Sequence, residues 1–220
     1  MTEGSGTLKV LGYGEDFLTF WAVTKRLSEI LHQLEDETDP EKCTVIYRPS
    51  FGRRGGLRRS EFGEFDTIIV TPEKAYIVES RWDGSSASFP NNVLELEDVQ
   101  TRRHEIFRWY HENWKQESWG EFVRKHAQEF KEKFRKNIAP ESSLLSKNLM
   151  TVLREMRGRK LVDVLLFLHR REPPKIQTTF KVVTIRYEPN RWRIHRAKHK
   201  PPMKNKSEHI ELSKHSVKRH

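Results

Sequence analysis

Asp66 and Glu79 are the residues of this chain whose type and placement most invite chemistry. Both sit inside "EFDTIIVTPEKAYIVESRW" (residues 64–82), where two apolar, β-branched runs flank Thr71, Pro72, Glu73 and Lys74. Such a pattern predicts a hairpin of strands at about 64–70 and 75–82. If the turn centres on Pro72 and Glu73, facing residues have numbers that sum to 145, so Val70 faces Ala75, Ile68 faces Ile77 and Asp66 faces Glu79. Directly opposed residues share one side of a sheet, with Cβ atoms about 4.5–5.5 Å apart.

Two carboxylates so placed repel, and the surrounding isoleucines make the repulsion worse by removing water. A divalent cation would neutralise them, since Mg²⁺ is commonly held by one or two carboxylates. Arg81, two residues beyond Glu79 and so on the same strand face, is the other counter-charge. The same register sets Glu64 opposite Arg81, which leaves open a cross-strand charge network with no chemistry.

The stretch resembles the signature of the PD-(D/E)xK nuclease superfamily, in which an Asp begins one strand, a Glu followed two residues later by a Lys lies on the next, and an acid often comes from the first helix. Asp66 and Glu79 match the paired acids, Arg81 falls at the lysine position and Glu15 is the candidate helix acid. The resemblance covers roughly residues 10–100 and the strand near 162. It implies an α/β fold with a restriction-endonuclease-like αβββαβ core, a mixed central sheet and a helical insertion. It further implies a metal-dependent nuclease that hydrolyses phosphodiester bonds of DNA, with RNA the secondary substrate. Mg²⁺, or Mn²⁺ in its place, would be held by Asp66, Glu79 and the Ser80 carbonyl, and the catalytic set would be Asp66, Glu79, Arg81 and Glu15. Arginine holds its proton to a pKa above about 12, so Arg81 can stabilise charge on phosphorus but cannot act as a base. The alternative is a nucleic-acid-binding protein on the same fold that no longer cuts. A third reading is an interaction protein whose acids form a surface salt-bridge network.

The elements that must position these residues are legible as patterns. Phe17, Phe20, Trp21, Leu27, Ile30, Leu31 and Leu34 recur at helical spacing from Gly14 to about Leu34. "CTVIYRPSF" alternates as a strand, "LVDVLLFLH" suits a strand buried on both faces, and "TFKVVTIRY" and "RWRIH" suit closing strands. Between them, about 93–157 is helical in pattern with breaks near Gly120 and Pro140, and Trp109, Tyr110, Trp114 and Trp119 predict an aromatic core for that lobe. His104, His111 and His126 are scattered through it without a nucleophile to pair with. The expected organisation is one domain over 1–195, carrying the insertion, and a basic disordered tail over 196–220.

Forty-one Lys and Arg against 31 Asp and Glu give a formal charge of +10, which attracts phosphate polymers before any specific contact forms. "GRRGGLRRS" would bring Arg53, Arg54, Arg58 and Arg59 beside the acids as nucleic-acid contacts. The partner expected is nucleic acid, DNA ahead of RNA, with homodimerisation as a route to cutting two strands. No apolar run approaches the roughly 20 residues that span a bilayer, so no membrane partner and a cytoplasmic location are expected. Cys43 stands alone, which excludes an internal disulfide and a structural zinc site built on several thiolates.

Overall fold

The computed structural model describes residues 10–52, 60–84, 93–188 and 209–212. Its class is mixed α/β. The chain runs β1 (Val10–Tyr13), α1 (Gly14–Lys25), α2 (Leu27–Gln33), β2 (Thr44–Tyr47), β3 (Ser50–Phe51), β4 (Gly63–Glu64), β5 (Thr67–Val70), β6 (Lys74–Trp82), β7 (Val93–Glu95), α3 (Asp98–Asn113), α4 (Trp119–Phe134), α5 (Leu144–Glu155), β8 (Lys160–His169), β9 (Lys175–Gln177), β10 (Lys181–Arg186) and β11 (His209–Leu212). Five strands form the central sheet in the order β10-β8-β6-β5-β2. β2, β5 and β6 are antiparallel neighbours, whereas β8 is parallel to both β6 and β10.

Alternation divides the sheet's side chains between two cores. Ile69, Tyr76, Val78, Val164, Leu166 and Val183 face one way and pack with Leu18, Ala22, Ile30 and Leu31 of α1 and α2. Ile68, Val70, Ala75, Ile77 and Leu161 face the other way, against Phe107, Tyr110, Phe122, Phe130 and Leu149 of α3, α4 and α5. β8 lies between β6 and β10 and contributes to both, which is why its sequence is a nearly continuous apolar run.

Three elements differ from the sequence expectation. The helix expected over 14–34 is two, broken at Arg26, whose φ of −125° and ψ of 18° leave the helical region. The strand expected through "CTVIYRPSF" stops at Tyr47, because Arg48 turns to a φ of 49° and Pro49 has no N–H for a ladder; the chain resumes as β3 and pairs with β4 instead. Glu64 therefore lies opposite Ser50, not Arg81. Within the tail expected to be disordered, His209–Leu212 forms β11 and pairs antiparallel with β1. "RWRIH" lies outside the described residues.

The helical lobe matches its pattern. α3 begins with a capping box between Glu97 and Gln100, α4 with one between Ser118 and Glu121, and α5 with Ser143 bonding Ser146 N. Trp109, Tyr110, Trp114 and Trp119 are all buried in one aromatic cluster with Phe122, Phe130 and Phe134. Among the described residues, no helix is long and apolar enough to cross a membrane.

Candidate functional site

The β5–β6 register is the one that the 145 sum requires: Thr67 faces Val78, Ile68 faces Ile77 and Val70 faces Ala75. β5 starts at Thr67 while β6 runs on to Trp82, so Asp66 lies where the ladder ends. There its side chain substitutes for a backbone acceptor, with Oδ2 receiving the Ser80 N–H at 2.7 Å. Asp66 continues the face of Ile68 and Val70, and Glu79 the face of Ile77 and Ala75, so both acids stand on the side covered by α3.

α1 delivers the third acid. Glu15, in its first turn, meets Arg81 Nη1 at 3.6 Å, and the same Nη1 donates to the Ser80 carbonyl at 2.9 Å. Burial pushes the Glu15 carboxyl up to about 7; the Arg81 charge opposes that rise and the Asp66 charge adds to it. Asp66 is pushed up to about 6, first by burial and then by the charge of Glu79, against the Ser80 N–H and the charges of Arg81 and Arg103. Glu15, Asp66, Glu79 and Arg81, from three separate elements, thus share one end of β6. Glu64, the other carboxylate expected near Arg81, is bound at 3.1 Å by Arg48, which also pairs with Asp16.

Glu79 has a different environment, and its partners were not assigned from the sequence. Its side chain is only 2% exposed. Oε2 accepts from Gln100 Nε2 at 3.1 Å and Arg103 Nη2 at 2.7 Å, while Oε1 lies 3.1 Å from His104 Nε2. All three donors come from the first two turns of α3. Gln100 serves twice, since its Oε1 also caps Glu97 N. His104 Nδ1 lies 2.8 Å from Asp163 Oδ1, and Arg108 Nη2 lies 2.5 Å from Asp163 Oδ2. A ring whose two nitrogens both face carboxylates bonds both only as an imidazolium. In line with this, burial would lower the His104 pKa, but the bonds to Asp163 and Glu79 outweigh it and raise it. Burial works against the Asp163 carboxylate too, yet His104 and Arg108 hold its pKa below the usual range.

This arrangement does not fit the Mg²⁺ that the nuclease resemblance implies. Glu79 uses both oxygens on cationic or amide donors, and the Ser80 carbonyl is taken by Arg81. Among the described residues, no group of three or more His, Cys, Asp or Glu is arranged to hold a metal ion. Arg53, Arg54, Arg58 and Arg59 lie outside the described residues, in the part of the sequence between β3 and β4.

No protein-family model matches the chain, and neither does any curated protein or solved structure.

Proposed function

We propose that this chain is a nucleic-acid-binding protein on a PD-(D/E)xK, restriction-endonuclease-like scaffold, and that it engages the phosphodiester backbone at the end of β6. The observation that carries the reading is the convergence of Glu15, Asp66, Glu79 and Arg81, the four positions that the resemblance singles out, at one end of one strand. The order of α1, three antiparallel strands, a helical segment and parallel β8 also agrees with the core that the resemblance implies. Arg81, 23% exposed, is the phosphate-facing group: a guanidinium makes short, charge-assisted bonds to phosphate oxygens. The net charge of +10 adds a sequence-independent attraction.

Hydrolysis assisted by Mg²⁺ or Mn²⁺ is the second reading. What favours it is the pair of raised carboxyls, Glu15 and Asp66, which are short of positive charge. It requires Glu79 and the Ser80 carbonyl to release partners that they now hold.

One experiment separates the two readings. Fluorescein-labelled single-stranded, duplex and branched DNA, and RNA, are titrated with the full chain in EDTA and followed by anisotropy, then incubated with Mg²⁺ or Mn²⁺ and resolved on a gel. Binding in EDTA that weakens on Arg81→Ala, without cleavage, is the expected result. Cleavage abolished by Asp66→Asn and by Glu79→Gln would establish the second reading. No binding to any substrate at physiological salt would reject both.

A further inference from the structure

We propose that α3 holds this site closed to divalent cations: Arg103 and His104 are positioning residues whose charges stand on Glu79 in place of a metal, as Arg81 stands on the Ser80 carbonyl. The inference deepens the reading of the cluster as a nucleic-acid site and rests on that reading.

At 2% exposure Glu79 is stable as an anion only if fixed donors replace its water, and Gln100, Arg103 and His104 do so. These donors are fastened in turn. Arg103 passes over Gly63, where the φ is +119° and an added Cβ would lie 3.0 Å from Arg103 Cδ, so the absence of a side chain there gives the guanidinium its path. Its guanidinium carbon then rests 5.5 Å from the centre of the Phe65 ring. His104 is held between Phe65 and Phe180, with ring centroids 4.9 and 4.5 Å away, and its second nitrogen is tied to Asp163, itself bound by Arg108. An incoming ion at Glu79 would have to displace a guanidinium or an imidazole and would then sit beside both of their charges. Metal-site selection depends on free lone pairs and on the charge already present. α3 supplies donors to three of the roughly four lone-pair sites of Glu79, two of them cationic.

The test measures metal binding, not turnover. Full-length protein is titrated with Mn²⁺ at pH 7.5, without nucleic acid, and free Mn²⁺ is read by electron paramagnetic resonance. The wild type is expected to show no saturable site tighter than about 1 mM. Arg103→Gln should tighten Mn²⁺ binding at least about tenfold, Arg103→Lys, which keeps the charge, should not, and adding Glu79→Gln to Arg103→Gln should remove the gain. If circular dichroism shows Arg103→Gln unfolded, His104→Gln carries the same expectation. Saturable Mn²⁺ binding by the wild type that Glu79→Gln abolishes would overturn the proposal. So would a folded Arg103→Gln that binds no better than wild type. Anisotropy in EDTA on the same preparations tests the functional reading independently: a wild type that excludes Mn²⁺ but binds no nucleic acid defeats that reading and leaves the closed site standing.

Discussion

Replacing Asp66 by Asn keeps an oxygen for the Ser80 N–H and removes a charge, so it isolates the electrostatic cost of the site. Asp66 titrates near 6 in the folded protein against an ordinary 3.8, driven first by burial and then by the charge of Glu79. A folded pKa above the unfolded one means that the protonated form favours folding. That contribution is complete below about pH 3.8 and is lost as pH rises towards 6 and beyond. Two units at 1.36 kcal/mol each bound the loss at about 3 kcal/mol, and relaxation around a partly exposed side chain brings the expected figure to about 1–3 kcal/mol. Urea unfolding of both proteins at pH 4 and pH 8 measures it. Asp66→Asn should gain about 1–3 kcal/mol on wild type between the two pH values, and added Mg²⁺ should not close the gap. A difference independent of pH, or one in which Asn becomes relatively worse at pH 8, would show that the folded protein already neutralises this carboxylate.

Three further outcomes are expected. Asp163→Asn removes the anion that faces His104 and Arg108, and should cost about 1–2 kcal/mol at pH 7. Because the Asp163 pKa is lowered, that cost should shrink as unfolding is measured below pH 4. Phe130→Ala, which empties a fully buried position touching Trp109, Tyr110 and Phe134, should cost about 3–5 kcal/mol in urea unfolding. Arg81→Lys should weaken DNA binding in EDTA by several-fold, since an ammonium cannot fork onto a phosphate; unchanged affinity would remove Arg81 from the interface.

The part of the site that lies along one hairpin was legible in the sequence; the part that arrives from elsewhere was not. The short turn at Pro72 and the alternation of Ile68, Ile77, Val70 and Ala75 allow only one register that keeps both cores apolar, so Asp66 and Glu79 had to share a face. Glu15 was legible only through resemblance, because nothing in helical spacing says that the first turn of α1 reaches Arg81. Glu64 misled for a physical reason: β3 and β4 have two residues each, too short for any periodicity, and the break at Arg48 and Pro49 diverts the chain between β2 and β3. The α3 donors left a signal that could have been used. Gln100, Arg103 and His104 recur at spacings of three and four, which puts them on one helix face, and Asp163 interrupts "LVDVLLFLH" just as Asp66 interrupts its own strand. A lone acid in an apolar strand asks for a cation. What no pattern states is which acid His104 meets, because that depends on how α3 crosses the sheet.

The acids of the site are therefore neutralised in two ways, and under the proposed function the difference would make nucleic-acid binding depend on pH. Glu79 is held by fixed cations and gives α3 its anchor. Glu15 instead lies 3.6 Å from Arg81, so on the proposed function it would compete with an approaching phosphate for the guanidinium, and the Asp66 charge helps to raise its carboxyl. An ionised Glu15 competes for the guanidinium, whereas a protonated one releases it. With Glu15 pushed up to about 7 by burial, the release takes place on going from pH 8 to pH 6. Nucleic-acid affinity, measured by anisotropy in EDTA at constant ionic strength, should then rise several-fold across that interval. Glu15→Gln should bind more tightly than wild type at pH 8, with a flatter profile, because the competing charge is gone at every pH. Histidines elsewhere that gain charge over the same range strengthen wild type and variant alike, and Asp66, which protonates near 6 beside Arg81, is controlled by repeating the comparison in the Asp66→Asn background. If Glu15→Gln bound more weakly than wild type at pH 8, the carboxylate would be a partner of the nucleic acid's own donors or of an ion bound with it, and Arg81 would not be the group the phosphate meets first.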